Sequence, residues 1–362
     1  MQPAVFTEEF LDTWKINNKD RKRRKMISIK DIAAACEVSI STVSKALNNH
    51  RDVSEAKKEY IRQKAKEMGY SPNSSARTLK TNKSHNIGVL FVDEAQSGLT
   101  HDYFASVLDS VKSTAESKGY DLTFIISGKE HQGQMTYLEH SRYRGVDGVV
   151  IACVNFVEPE VVELMQSDIP TVTIDYTFNR TISILSNNME GMSALTQYAI
   201  DMGHTKIAYL YGEDSVVTTN RTSGFYITLE KNGIKPIDDY VMEVKYRNIE
   251  TAEKATRKLL SMKEPPTCIF YPDDYAAFGG INVIREMGLR IPEDISVAGY
   301  DGIPIARMIE PRLTTVVQDT KQIGKCAAER LISLIEKPRT TIIDQIVIDS
   351  RLYTGETIKK IN

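Results

Sequence analysis

The chain has 362 residues, 41% of them hydrophobic and 26% charged, with a formal net charge of -2. That length allows two or three domains with a sizeable core, whereas no apolar run approaches the roughly 20 residues of a membrane span and no signal peptide heads the sequence. A cytoplasmic protein is therefore expected. The four cysteines, Cys36, Cys153, Cys268 and Cys326, show neither CxxC nor metal-ligand spacing and read as reduced core thiols, so no disulfide framework, metal or cofactor is expected.

Charge is unevenly placed. Residues 26–85 carry 11 Lys/Arg against 6 Asp/Glu, a net of +5, and residues 86–362 carry 28 against 38, a net of -10. A basic head suits phosphate neutralisation, and an acidic body keeps the rest of the surface off nucleic acid. Residues 1–25 end in the run Arg21-Lys-Arg-Arg-Lys25. They read as a basic arm, as a tail without fixed structure, or as an extension upstream of a native start at Met26.

Ser28 with Asp31 three residues on signals a helix start, and Ile29, Ile32, Ala33 and Cys36 form one apolar stripe. Ser39 is a second N-cap, with Val43 and Leu47 facing inward. Ile40, Ser41, Ser44, Lys45 and Asn48 are left on the outer face. Two short helices joined by a tight turn make a helix-turn-helix, whose second helix can enter a DNA major groove. Ile40, apolar on a polar face, suits a thymine methyl. A third helix opens at Ser54 and ends at Gly69, with Tyr60, Ile61, Ala65 and Met68 expected inside and Lys57, Lys58, Arg62, Lys64 and Lys66 outside. After Pro72, residues 73–80 look helical but are too short to be stable alone.

From Asn86 apolar runs alternate with helical patterns, the signature of parallel sheets covered on both faces. Strands are expected at 87–92, 122–127, 148–154, 171–175, 207–211, 241–245, 268–271 and 295–299, with a helix over 103–118. SHNIGVLFVDE and GHTKIAYLYGED open two similar halves, and two doubly wound lobes would enclose a cleft.

The motifs IKDIAAACEVSISTVSKALN, GYSPNSSARTLKT, NIGVL, VDGVVI, GHTKIAYL, RTSGF and ISVAGYDGIP resemble, in order, the lactose and galactose repressor family of bacterial transcription regulators. The resemblance runs from about Ile27 to the end of the chain. It implies a small all-α helix-turn-helix DNA-binding domain (26–72), a hinge helix and linker (73–85), and an α/β periplasmic-binding-protein-like body (86–362). The body's lobes would span about 86–186 with 318–345, and about 187–317 with 346–362. It also implies that the hinge piece orders on DNA and inserts Leu79 into the minor groove, with Ala76 on the same face and Arg77 and Lys80 near phosphate or groove. An apolar wedge unstacks a base step and bends the duplex, and the added contact offsets the cost.

For the helix-turn-helix, Ser39 opens the recognition helix, Ile40, Ser41 and Lys45 are expected to read bases, and Thr42, Ser44 and Asn48 to meet phosphate or the edge of the site. In the body, Asp93, Asp175, Asp273, Asp274 and Asp301 stand at strand ends, where a carboxylate either accepts from a ligand hydroxyl or amine or caps the next helix. Capping is the reading for Asp93 and Asp274. Family position favours Arg221 and Asp301 as ligand contacts, then Asp175 and Asp273. Tyr103, Phe104 and Tyr246 either pack in the core or stack on a ligand ring.

The expected partners are a pseudo-palindromic double-stranded operator, a second copy of the chain, and a small effector of sugar type, or a partner protein in its place. The rival reading is a carbohydrate-processing enzyme or phosphohydrolase with a fused DNA-binding head. It lacks support: Gly-x-x-x-x-Gly-Lys, Gly-x-Gly-x-x-Gly and Gly-x-Ser-x-Gly are absent, His101-Asp102 has no partner histidines, and His204 sits at a structural corner.

Overall fold

The computed structural model describes residues 27–70, 83–92, 98–126 and 135–361. The expectations for residues 1–25, Ala76, Arg77, Leu79, Lys80 and Asp93 lie outside these. The chain divides into two units between residues 82 and 83.

The first unit contains α1 (Ile29–Ala35), α2 (Ile40–Leu47) and α3 (Glu55–Glu67). Ser28 and Asp31 form a reciprocal capping box at α1, and Ser39 caps α2 by accepting from the Thr42 N–H at 3.1 Å. Ile32, Ala33, Cys36, Val43, Ala46, Val53, Ile61 and Ala65 make one small core. Each large aliphatic side chain there contributes about 1.5–3 kcal/mol by leaving water. Two expectations for α3 are corrected. Tyr60 is 53% exposed, and Lys58 is 3% exposed. The inner face runs through Lys58, Ile61 and Ala65, at spacings of three and four, which leaves Tyr60 off the stripe. The Lys58 ammonium is satisfied by Glu55 Oε1 at 2.6 Å.

The second unit carries two six-stranded sheets. The first holds β1 (Asn86–Phe91), β2 (Asp121–Ile125), β3 (Gly148–Ala152), β4 (Thr171–Ile174), β5 (Ile182–Ser186) and β11 (Gln345–Ile348), in the order β11-β5-β4-β3-β1-β2. The second holds β6 (Ile207–Tyr211), β7 (Val241–Glu243), β8 (Cys268–Phe270), β9 (Ser296–Asp301), β10 (Thr314–Val317) and β12 (Arg351–Tyr353), in the order β12-β10-β9-β8-β6-β7. Every pair is parallel except β10 with β12. The position-by-position match of the two orders realises the repeat read from the sequence.

Alternation along each strand feeds two cores per lobe. In the first lobe Val150 packs under α4 (Asp102–Ser117) and α11 (Thr320–Glu336), while Val149 and Ile151 pack under α5 (Tyr137–Arg144) and α6 (Pro159–Gln166). In the second, Ala208 and Leu210 meet α9 (Ile249–Leu260) and α10 (Asp274–Glu286). Ile207 and Tyr209 meet α7 (Asn188–Asp201) and α8 (Val216–Lys231). The chain crosses between lobes at 187, at 318–319 and at 349–350. The last crossing falls beyond the expected boundary at 345/346, because β11 stays in register with β5 as far as Ile348.

Candidate DNA-reading helix and effector cleft

In the first unit, the outer face of α2 is partly engaged within the unit itself. The Ser39 Oγ lies 2.8 Å from the hydroxyls of both Ser41 and Thr42. Asn48 donates its Nδ2 to the Ser44 carbonyl at 2.8 Å, closing the helix end. The Lys45 ammonium is paired with Asp52 in the loop before α3, and that bond holds the Asp52 carboxyl below its ordinary range. Ile40 remains 48% exposed at the helix start. The face therefore offers one free apolar side chain, a small cluster of hydroxyls and a cation, a set suited to a thymine methyl and base edges.

In the second unit, the expected effector residues gather at the carboxyl ends of the strands. Arg221 lies on α8, which Ser215 caps through the Thr218 N–H at 3.0 Å. Gly224, one turn on, lets α8 approach α7 closely: a Cβ there would stand 2.3 Å from the Met189 carbonyl oxygen. This approach brings Arg221, 4% exposed, onto the start of α7. Its Nε donates to Asn188 Oδ1 at 2.8 Å and its Nη1 to the Pro272 carbonyl at 2.8 Å, while Nη2 stands 3.6 Å from Asp301 Oδ1. The guanidinium lies 3.6 Å from the centroid of the Tyr300 ring and 6.0 Å from that of Tyr246. Burial opposes the charge on Arg221, but Tyr246, Tyr300 and Asp301 together outweigh it and hold the group above its ordinary range.

Asp301 ends β9 with φ +98, a conformation a side chain rarely adopts, and accepts from Gln318 Nε2 at 2.7 Å. Asp175 follows β4 with φ +57. It accepts from the Ser186 N–H and the Tyr103 hydroxyl, each at 2.9 Å. The Ser186 hydroxyl in turn donates to Gln318 Oε1 at 2.5 Å, so a continuous hydrogen-bond path joins the two aspartates across the crossings. Burial raises the Asp175 carboxyl above its ordinary range.

The capping expectation at α10 shifts by one residue. Asp273 is the cap, accepting from the Ala276 N–H at 2.8 Å, with its second oxygen held by the Arg247 N–H at 2.7 Å. Asp274 opens the helix from inside and is buried, accepting from the Ile303 N–H at 2.8 Å and the Thr315 hydroxyl at 2.6 Å. Burial, then the charge of Asp301, pushes Asp273 up to about 6 and Asp274 well above its ordinary range.

The aromatics divide. Tyr246 covers Gly212, where a Cβ would meet its ring at 2.1 Å, and its hydroxyl lies 2.9 Å from that of Thr218. Tyr103 is buried and reaches Asp175, whereas Phe104 packs edge-on against Tyr103 with centroids 4.8 Å apart and leans on the first-lobe core. Sequence reasoning missed Asn188, Tyr300 and Gln318. Tyr300 sits inside AGYD, where burial masks its role, and Asn188 and Gln318 are adjacent to lobe crossings, the signal that would have flagged them. His204 is structural, its ring nitrogens 2.9 Å from Thr267 Oγ1 and 3.1 Å from the Lys359 carbonyl.

Among the described residues no helix is long and apolar enough to cross a membrane, and no cluster of His, Cys, Asp and Glu has the makings of a metal site. Residues 28–73 match the family model for bacterial regulatory proteins of the lacI family, and residues 196–358 match a periplasmic binding protein-like domain. The chain is 34% identical to the HTH-type transcriptional repressor PurR of Vibrio vulnificus strain CMCP6 over 344 residues, 93% of this chain and 100% of that protein. It is 32% identical to the probable HTH-type transcriptional repressor ExuR of Bacillus subtilis strain 168, over 93% of this chain and 99% of that one. The fold superposes on the lac repressor dimer bound to operator and the anti-inducer ONPF with a TM-score of 0.78 and 26% identity, covering 92% of this chain and 100% of that one. A helix-turn-helix unit, two doubly wound lobes and full-length relatives of this identity lead to one conclusion: the chain belongs to the lacI family of bacterial regulatory proteins and is a DNA-binding transcriptional repressor, not an enzyme.

Proposed function

We propose that the chain represses by binding a pseudo-palindromic operator as a symmetric dimer and that a small polyhydroxylated molecule, of sugar type, in the cleft switches its affinity. One helix-turn-helix reads few base pairs, so two copies related by a twofold axis supply the specificity. Ile40, Ser41 and Lys45 read bases. Thr42, Ser44 and Asn48 contact phosphate or the edge of the site, and Ser39 holds the helix start. Leu79 enters the minor groove with Ala76 on the same face, and Arg77 and Lys80 serve phosphate or groove beside them.

The observation that carries the effector reading is the Arg221–Asp301 pair. It combines a buried guanidinium and a carboxylate in strained backbone at the carboxyl ends of strands, where open α/β sheets take ligands. Asp175 and Asp273 add acceptors, each carboxylate oxygen keeping a lone pair beyond its internal bond, which matches a ligand rich in hydroxyl donors. Tyr103, Phe104 and Tyr246 shape the walls. The solved lac repressor complex, with operator and anti-inducer on one dimer, supports the pairing of operator and small ligand.

The test is a thermal-shift screen of the full chain against sugars, sugar acids and nucleobases, followed by operator binding with each compound that stabilises it. A cleft ligand raises the melting temperature by mass action and changes operator affinity. A protein that responds to no small molecule but only to a partner protein would refute the sugar-type effector.

A further inference from the structure

The two lobes also meet away from the crossings. Asp102, in the first turn of α4, belongs to the first lobe, and Arg247 and Tyr275 belong to the second, Arg247 between β7 and α9 and Tyr275 in the first turn of α10. The Tyr275 hydroxyl donates to Asp102 Oδ2 at 2.7 Å, and Arg247 Nη1 lies 3.8 Å from the same oxygen. The Arg247 guanidinium stacks on the Tyr275 ring, 3.9 Å from its centroid. Among the described residues, the other ion pairs of this unit each join two positions of one lobe, as Arg257 with Glu286 does.

Arg247 is set in place from behind. Its φ is +54, and its N–H is held by Asp273, the same carboxylate that caps α10 and so positions Tyr275. Its side chain is 10% exposed, yet its Nε is buried without a hydrogen-bond partner. A buried donor left open in a cation is costly, and an acceptor that reaches it is favoured.

We propose that Asp102, Arg247 and Tyr275 form a cross-cleft clasp, in which Arg247 serves both the opposite lobe, through Asp102, and the effector, through an oxygen acceptor at Nε. The proposal deepens the effector reading above and rests on it. Occupancy of Nε orients the guanidinium on Tyr275 and draws it toward Asp102, so that filling the cleft and closing it become one event.

Hydrogen exchange on the full chain, without ligand or DNA, tests the clasp. Asp102→Asn removes the charge that Arg247 faces, and Tyr275→Phe removes one oxygen and nothing else. Each is expected to speed exchange about threefold or more in the opposite lobe, Asp102→Asn in the peptides over 245–249 and 272–278 and Tyr275→Phe in the peptide over 98–106. The double variant should add little to either single change. Arg257→Gln, which breaks an ion pair within one lobe, should leave both regions unchanged. Exchange that changes only in the lobe carrying the substitution, or not at all, overturns the clasp.

The ligand contact is tested with the sugar, sugar acid or nucleobase that most raises the wild-type melting temperature. Arg247→Lys keeps the charge but not Nε and should lose at least half of that rise, while a full rise in the variant overturns the contact. A panel in which nothing stabilises the wild type overturns the effector reading, and the ligand contact with it, while the exchange result on the clasp stands by itself.

Discussion

Asp175 and Asp301 occupy equivalent places in two sheets of the same strand order, one just after β4 and the other at the end of β9. Both adopt positive φ, and both are held by the residue that ends or follows the next strand, Ser186 in one lobe and Gln318 in the other. Their remaining partners differ. Asp175 faces the hydroxyl of Tyr103, and Asp301 faces the guanidinium of Arg221. The repeat thus supplies the same backbone device twice, and, among the described residues, one side chain makes the second lobe the one that holds a buried ion pair. Removing a member of such a pair leaves an uncompensated charge, whereas removing a neutral hydrogen bond costs far less.

The largest break in this comparison is Arg221→Ala. It strands Asp301, the Asn188 side chain and the Pro272 carbonyl together, and is expected to cost about 3–5 kcal/mol of unfolding free energy. Urea denaturation measures it, and a loss below about 1 kcal/mol would show that the cleft absorbs the charge without Arg221.

Asparagine at the two aspartates sharpens the contrast. Asp301→Asn leaves Arg221 buried without its carboxylate, while Asp175→Asn loses one of two accepted hydrogen bonds, a cost of about 1–2 kcal/mol. Asp301→Asn should therefore be the more damaging by about 2 kcal/mol. Equal costs would mean that the lobes are energetically as alike as their topology.

Acid probes a third carboxylate of the same cleft. Asp273 rises from 3.8 to about 6, so the folded chain binds its proton more tightly than the unfolded chain does. The stability its proton contributes is fully present below pH 4 and is lost as pH climbs from about 4 to 6, a fall of roughly 3 kcal/mol across that window. Asp175 and Asp274, also raised, act in the same direction. Asp273→Asn should flatten the pH dependence of unfolding between pH 4 and 6. An unaltered profile, measured by denaturation across that range, would place the titration elsewhere.

Much of this was legible in the residues, and the boundary of legibility is physical. The caps at Ser28 and Ser39, the strand cores and the repeated halves are local, and local periodicity and hydrogen-bonding chemistry announce them. The family pattern pointed to Arg221 and Asp301, and the structure brings them to 3.6 Å. What failed depended on helix phase or on distance along the chain. Whether Asp273 or Asp274 caps α10 turns on a single peptide rotation, and Tyr60 against Lys58 on the direction of one helix face. Asp102 and Tyr275 are 173 residues apart, and no local signal relates them.

The smallest effect concerns the other unit, where recognition is set against self-pairing. Lys45, expected to read a base, is bonded in the free protein to Asp52, both about half exposed. Binding DNA through Lys45 requires exchanging that carboxylate for a base edge or phosphate, while a surface pair of this kind adds little to folding. Asp52→Asn should leave stability unchanged and tighten operator binding a few-fold. It should also strengthen binding to unrelated duplexes, because an acidic charge leaves the DNA-facing side. Lys45→Ala should instead lose discrimination between the operator and its base-substituted variants. Titrations of both variants on operator and random DNA decide between the roles. If Asp52→Asn tightened neither, Asp52 would not compete with DNA for Lys45, and the pair would be a contact that dissolves in solution without consequence.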